Sequence, residues 1–415
     1  MRILVYGINF PPEQIGIGKF TGEMVIWLAK QGHEVRVIAS QPYYPDWRVM
    51  PGYSAAAYSR SRLEGAMVWR CPIWVPRRPS GSKRILHYLS IALSSAPIAL
   101  RQVLWKPELV FVVAPPIMCA PAGLLVAKLS GARSWLHVQD FEVAAAMETG
   151  LLNSQVLRKA ATFVERRILN WFDRVSTISG RMLAGLGNRG VPQQRSVLFR
   201  NWVDVHAIYP LNGGTTLRSE LGISDRAVVV LYSGNMAAKQ GLETLLDAAK
   251  LVQEDESLRF VLCGNGAARS KLQQEYGHLR NVHWLPLQPS SRLNELLNVA
   301  DIHVLLQIAG VADLVMPSKL TGMLASGRPV VATAAEGTQV AEVVSSCGIN
   351  VPPGDARALA AGIRVLSENP VEREKLGRIA REYAVQNLDL SRVLQEFEEA
   401  LVECCDPRAI PTRTV

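Results

Sequence analysis

One pattern constrains this chain more than any other, because it occurs twice. Residues 2–7 (RILVYG) are a short apolar, β-branched run that stops at Gly7. A glycine-bearing loop (8–18), an amphipathic stretch (19–31), Gly32 and a second apolar run (35–39) follow. Strand, loop, helix, glycine, strand is the βαβ unit, which requires a parallel sheet with helices on its faces. Residues 227–232 (AVVVLY) restart the pattern, with a loop over 233–241 and a helix over 242–253. Further apolar runs stand at 109–113, 135–138, 174–178, 259–263, 283–285, 302–306 and 329–333. Parallel strands covered on both sides read as such continuous runs. The periodicity breaks across 205–226, at Pro210, Asn212, Gly213 and Gly214, and a charged amphipathic helix is predicted over 371–402. The expectation is an α/β chain of two doubly wound domains facing each other across a cleft.

At 415 residues, with 48% hydrophobic and 20% charged residues, the chain can bury a core in each domain. Charge is uneven. Residues 1–200 hold 25 Lys and Arg against 11 Asp and Glu, whereas 201–415 hold 20 against 25. That asymmetry suits an acidic partner for the first half. Nucleic acid is not expected, since no helix-turn-helix, zinc-finger or aromatic RNA-binding segment is present. The six cysteines include no CxxC pair, which disfavours a disulfide framework or structural zinc and fits a reducing compartment. Residues 1–10 are too short an apolar run for a secretion leader, and no uninterrupted apolar stretch of about 18 residues occurs.

In doubly wound sheets function gathers at the carboxyl ends of the strands. Behind the first run stand Pro11, Pro12, Glu13, Gly16, Ile17, Gly18 and Lys19. A Gly-x-Gly ahead of a helix brings backbone N–H groups close to an anion. It is not the GxGxxG fingerprint, and the second run ends at Ala39-Ser40 without an acid for a ribose diol, which counts against a nicotinamide enzyme. The 135–138 run leads into Gln139-Asp140-Phe141-Glu142, where Asp140 is either a catalytic carboxylate or a helix cap. His137 alternates as a core residue. In the second half, Gly234 and Asn235 precede Lys239-Gln240-Gly241, a lysine beside a helix-opening glycine that either grips phosphate or is simply solvated. Met316-Pro317-Ser318-Lys319 opens another predicted helix, with Ser318 as cap and phosphate contact and Lys319 as the charge. Two such helix starts suit a diphosphate. Cys263-Gly264-Asn265-Gly266 is a third loop, either a nucleotide contact or a plain turn. The chain has no Asp-x-Asp, HExxH, Walker A or GxSxG motif. Lysine, arginine and helix dipoles are therefore expected to neutralise the diphosphate in place of a metal.

In order and spacing, this set resembles the retaining GT-B glycosyltransferases of family 4 over essentially the whole chain. It comprises the Gly16–Gly18 loop, NWVD at 201–204, the Gly234-Asn235 and Gln240-Gly241-Leu242-Glu243 segments, Gly264-Asn265-Gly266, and Pro317-Ser318-Lys319 through Gly327-Arg328-Pro329-Val330. MRILVYGINFPPE, IGIGKFTGEM and YSGNMAAKQGLE are similar to bacterial exopolysaccharide enzymes, in particular colanic acid fucosyltransferases.

The resemblance implies an acceptor-binding domain over 1–205, a nucleotide-sugar-binding domain over 206–390 and a tail over 391–415 that packs back on the first domain. Lys319, Ser318, Lys239, Gly234, Asn235, Gln240 and Gly241 would hold the donor diphosphate, and Gly264, Asn265, Gly266 and Asp313 the nucleotide or sugar. Gly16 and Gly18 would close over the donor, and Asp140 would serve the acceptor side. The implied reaction keeps the anomeric configuration and uses neither cofactor nor metal. It moves fucose from GDP-fucose to an undecaprenyl-diphosphate-linked saccharide, or else a sugar from a UDP-sugar in another surface polysaccharide. Relatives often carry two glutamates eight apart before the last motif; here Leu314 and Gly322 stand there, with Asp313 adjacent. A non-catalytic sugar-nucleotide binder therefore stays open, and so, separately, does a different α/β enzyme such as a sugar-nucleotide epimerase or a phosphorylase-like GT-B enzyme.

Residues 85–100 carry no charge and follow Arg77, Arg78, Lys83 and Arg84. They read either as a helix lying on an anionic membrane or as a buried helix of the first domain. With a lipid-linked acceptor, the former implies a cytoplasmic protein held peripherally at the inner face of the cytoplasmic membrane.

Overall fold

The computed structural model describes residues 1–78, 80–148, 151, 154–211, 215–237, 240–308 and 316–406. They form two units, Met1–Arg200 with Leu394–Val415, and Asn201–Val393.

The first unit is built on eight strands: β1 (Arg2–Tyr6), β2 (Glu34–Ser40), β3 (Ser59–Leu63), β4 (Ala66–Cys71), β5 (Leu109–Ala114), β6 (Arg133–Val138), β7 (Arg174–Thr177) and β8 (Ser196–Leu198). Their order is β3-β4-β2-β1-β5-β6-β7-β8. All neighbours are parallel except β3 and β4, which form an antiparallel edge hairpin. The apolar runs lie where both faces are covered: every residue of β5 is buried, as is all of β1 but Arg2. Helix Gly81–Arg101 turns His87, Ile91, Ser95 and Ala99 inward. Residues 85–100 are thus neither wholly buried nor wholly exposed.

The predicted tail helix is two helices, Pro370–Asn387 and Leu390–Cys405. The break has a cause. The Val203 N–H donates to the Leu388 carbonyl (2.8 Å) and the Leu390 N–H to the Val203 carbonyl (3.0 Å), which draws the backbone out of the helix. Phe397, on the second helix, stacks on Phe199 at 3.8 Å between centroids and 7° between planes, and meets Phe111 and Trp135 edge-on. His137 lies in this cluster, bonded to Ser176 (2.9 Å), and burial pushes its imidazole down to about 3. It is a core residue, as its alternation predicts.

The second unit carries β9 (Val228–Ser233), β10 (Leu258–Cys263), β11 (Val282–Leu285), β12 (Ile302–Leu306), β13 (Val330–Thr333) and β14 (Gly348–Val351), in the order β11-β10-β9-β12-β13-β14 and wholly parallel. β9 sits centrally, with β10 on one side and β12 on the other. The order reverses there, so chain leaves the carboxyl ends of β9 and β12 in opposite directions and a crevice opens between them.

Candidate functional site

Gly234 follows β9 at that crevice, and Gly264 follows β10 beside it. The Gly234 N–H donates to the Cys263 carbonyl (3.0 Å) and the Met236 N–H to the Asn265 carbonyl (2.9 Å). Gly264 has φ +148°, and a Cβ there would lie 1.9 Å from the Gly234 carbonyl oxygen. The two loops touch backbone to backbone, which only glycine permits. Arg269, which the sequence did not single out, fixes the second loop by donating to the Gly264 carbonyl (2.9 Å) and to Asn265 Oδ1 (2.7 Å). The Tyr232 hydroxyl, also missed, donates to the Asn235 carbonyl (2.8 Å).

Lys319 reaches this loop from helix Ser318–Ala325. Its Nζ stands 4.6 Å from the centre of the Tyr232 ring and 3.5 Å from Gln240 Oε1, and its Cδ lies 3.7 Å from where a Gly234 Cβ would be. Burial alone pushes the ammonium from its ordinary 10.5 down to about 8, with no carboxylate offsetting it among the described residues. Gly241, at φ +67°, precedes helix Leu242–Leu251 and would place a Cβ 2.9 Å from Ile308 just after β12. The structure thus gathers Gly234, Asn235, Gln240, Gly241, Gly264, Asn265, Gly266 and Lys319 around the ends of β9, β10 and β12. Ser318 differs from expectation. Pro317 holds the cap position, while Ser318 is the first helical residue, exposed, and its carbonyl accepts from Thr321. No side chain caps this helix; the Leu320 N–H instead donates to the Pro317 carbonyl (3.0 Å). Lys239 and Asp313 lie outside the described residues.

In the first unit, Gly16 and Gly18 fall inside the first turn of helix Gly16–Lys30 rather than in a loop ahead of it. Glu13, buried beneath that turn, accepts from the Tyr43 and Tyr44 N–H groups and from Asn9 Nδ2, each at 2.9 Å. Burial still pushes its carboxyl up. Asp140 lies in the turn after β6, two residues before Glu142 opens helix Glu142–Glu148. Glu142 accepts the Ile117 N–H at 2.5 Å; burial and the Asp140 charge push it up to about 8. Tyr88 feels both carboxylates and, chiefly through burial, rises to about 12. Asp140 therefore belongs to a group of three titratable side chains of which the sequence marked one. Among the described residues no cluster of three His, Cys, Asp or Glu side chains could hold a metal ion.

Residues 16–202 match the Glycosyl transferase 4-like domain and residues 215–383 match Glycosyl transferases group 1. The colanic acid biosynthesis glycosyl transferase WcaI of Escherichia coli (strain K12) is 44% identical over 409 residues, spanning 96% of this chain and 98% of that one. The chain belongs to the group 1 glycosyltransferases. Among solved structures, sucrose-phosphate synthase (tll1590) from Thermosynechococcus elongatus superposes on this glycosyltransferase with a TM-score of 0.76 at 17% identity, covering 97% of this chain and 98% of that one. Anabaena Alr3699/HepE, solved in complex with UDP and glucose, gives 0.70 at 16% identity, covering 97% and 99%. These likenesses establish the fold as two Rossmann-like domains of the GT-B kind.

Proposed function

We propose that this glycosyltransferase binds a nucleotide-diphosphate sugar in its second unit and transfers the sugar, with its anomeric configuration kept, to a saccharide held by the first. Lys319 carries the reading. Its ammonium is withdrawn from water, rests on an aromatic ring and an amide oxygen, and lacks a carboxylate among the described residues. A half-buried cation with no carboxylate beside it among the described residues is costly, and an arriving anion relieves that cost. The start of helix Leu242–Leu251 adds N–H donors for phosphate oxygens, while the Gly234 N–H is already held by the Cys263 carbonyl.

As the bond from the anomeric carbon to the diphosphate oxygen breaks, negative charge builds on the leaving group. Lys319, Lys239 and these amides stabilise it. The acceptor hydroxyl attacks from the leaving-group face, and its proton passes to a phosphate oxygen or to Asp140. Gly264, Asn265, Gly266 and Asp313 complete the nucleotide and sugar contacts, Ser318 adds a hydroxyl to the diphosphate, and Gly16 and Gly18 cover the donor. No metal takes part, so activity survives EDTA; complete loss restored by Mn²⁺ would refute that point.

The likeness to WcaI supports a role in colanic acid or a related exopolysaccharide; we assign GDP-fucose as the donor and an undecaprenyl-diphosphate-linked saccharide as the acceptor. Such an acceptor calls for peripheral contact with the cytoplasmic membrane, and among the described residues no helix is long and apolar enough to cross one. A thermal-shift panel of GDP, UDP, ADP and their sugars tests the donor. GDP-fucose is expected to give the largest shift, a larger UDP-sugar shift moves the assignment to that donor, and no shift with any of them refutes the reading.

A further inference from the structure

The first unit carries a basic, aromatic cavity that the glycosyl-transfer reading leaves without a role. It has a volume of about 630 Å³ and lies at the sheet edge, by the amino ends of β2 and β4. Gly16, Gly18 and Asp140 follow the carboxyl ends of β1 and β6, so the cavity stands at the opposite end of the same sheet. Register builds one wall. Arg36 on β2 stands beside Met67 on β4, Met67 faces Arg62 on β3, and Trp69 faces Arg60. Neighbours across a ladder share a face, as do residues two apart on a strand. The alternation of β3, SRSRL, therefore puts both of its arginines on the side that carries Arg36 and Trp69. The turn Gln102–Trp105, after helix Gly81–Arg101, builds the other wall. The Arg36 guanidinium lies 4.2 Å from the centre of the Trp105 ring and 5.3 Å from that of Trp69, and it donates to Gln102 Oε1 (3.1 Å). The Trp105 indole N–H donates to Glu34 Oε1 (2.9 Å). Arg36 and Trp105 are thereby held in place before any ligand arrives.

The charge in this cavity is unbalanced. Arg36, Arg60, Arg62 and Arg101 line it, and Glu34 is the one carboxylate among its described lining residues. The guanidinium groups of Arg60, Arg62 and Arg101 make no hydrogen bond or ion pair among the described residues. Burial lowers the pKa of Arg36; Glu34 opposes that, and the Arg60 charge adds to it. An arriving anion relieves such like-charge crowding. Charges on an edge strand also keep sheets from pairing with one another, but that role requires neither tryptophans nor a cavity. The volume falls within the roughly 300–1,000 Å³ of small-molecule sites. Arginine's planar fork offers two donors to the two oxygens of a carboxylate or phosphate. Trp69 and Trp105, both half-buried, offer apolar ring surface beside it. A neutral sugar would leave the cations uncompensated, and a bare phosphate would leave the indoles without a partner. A sugar that bears its own anion meets both. We propose that this cavity binds an acidic sugar, with its carboxylate or phosphate on Arg60, Arg62 and Arg101 and its ring against Trp69 and Trp105. The site is additional to those for donor and acceptor, and the inference does not rest on them. Its ligand has two possible sources, an acidic oligosaccharide or a free sugar phosphate.

Titration calorimetry on the full chain at low salt tests the proposal, with trigalacturonate, glucose 6-phosphate, inorganic phosphate and neutral maltotriose as probes. At least one acidic sugar should bind about tenfold or more tightly than inorganic phosphate and maltotriose. A preference for trigalacturonate supports the oligosaccharide source, and a preference for glucose 6-phosphate the free sugar phosphate. Arg60→Gln combined with Arg62→Gln should weaken that binding by about tenfold or more. The melting temperature of this variant should stay at the wild-type value, because both side chains are exposed. Excess GDP should leave the acidic sugar bound. Four results would each overturn the proposal: no binding of either acidic sugar, inorganic phosphate or maltotriose bound as tightly as the acidic sugar, wild-type affinity in the double variant, or displacement of the acidic sugar by GDP.

Discussion

Lys319→Met separates two quantities that the Lys319 site sets in opposition. Methionine keeps most of the side chain's length and removes its charge. In the ligand-free protein the ammonium falls from 10.5 to about 8 through burial. At about 1.36 kcal/mol per pKa unit, the native state carries on the order of 3 kcal/mol of charge-burial cost. A depressed lysine means that the unfolded chain holds the proton more tightly than the folded one. The cost is therefore carried in full below about pH 8, shrinks as pH rises from about 8 to 10.5, and is gone above. At pH 7 the methionine variant should be more stable than wild type by up to about 3 kcal/mol in urea melts, and it should lack the wild-type gain in stability between pH 8 and 10. Donor binding should move the other way. Losing a charge-assisted contact costs roughly 1.5–3 kcal/mol, or about 10- to 150-fold in Kd for the nucleoside diphosphate. An arriving diphosphate also restores the ammonium's affinity for its proton, so binding near pH 8 should take up about half a proton. Titration calorimetry in two buffers of different ionisation enthalpy reads that uptake. A variant that binds within twofold of wild type, or that is less stable than wild type at pH 7, would refute the reasoning.

Gly264→Ala drives a methyl group into the Gly234 carbonyl oxygen and should cost about 3 kcal/mol in a urea melt, with nucleotide binding lost in parallel; a wild-type midpoint would show that the loops do not touch. Glu142, raised from 4.5 to about 8, contributes stability that is fully present below about pH 4.5 and is lost as pH rises through about 8. Glu142→Gln keeps an acceptor for the Ile117 N–H without the charge, so its urea midpoint should fall less than that of wild type between pH 5 and 9; parallel curves would count against a buried acid. Phe397→Ala removes a ring stacked on Phe199 and should destabilise the first unit by about 3–5 kcal/mol, seen in its thermal melt, and a loss below 1 kcal/mol would mean that the tail helix is dispensable.

The parts of the fold legible in the sequence are those whose burial is two-sided. β1, β5, β9 and β12 read as apolar runs because helices cover both faces. β3, with the sequence SRSRL, has its first four residues exposed at the sheet edge and pairs with only one neighbour, so no apolar pattern marks it. β8 and β14 are short terminal strands of their sheets and hide for the same reason. The break at Leu388 was invisible for another reason, since its cause is Val203, distant in sequence, and local periodicity holds no record of such a pairing. Glu142 and Glu13 show the same limit at the candidate site. Both stand in segments that the motif reading names without giving either carboxylate a role, because a carboxylate becomes unusual only when the fold removes its water, and burial of one side chain among many is a property of packing.

The neighbour of Lys319 makes the converse point, because there a residue type that looks neutral in the sequence gains meaning from position. Gln240 offers the ammonium an amide oxygen at 3.5 Å, which solvates a cation weakly and does not neutralise it. A carboxylate in that position would form a buried ion pair, hold the lysine proton firmly and compete with any anion arriving at the Gly234 loop. Tyr232 acts in the same sense, since a ring face stabilises a cation without contributing a net charge. The two groups keep Lys319 in place with no carboxylate beside it among the described residues, and that open charge is what a diphosphate would complete. The glycines gain their meaning from the same place. They let the loops after β9 and β10 meet backbone to backbone, so that among the described residues the Lys319 ammonium meets amide, ring and main chain.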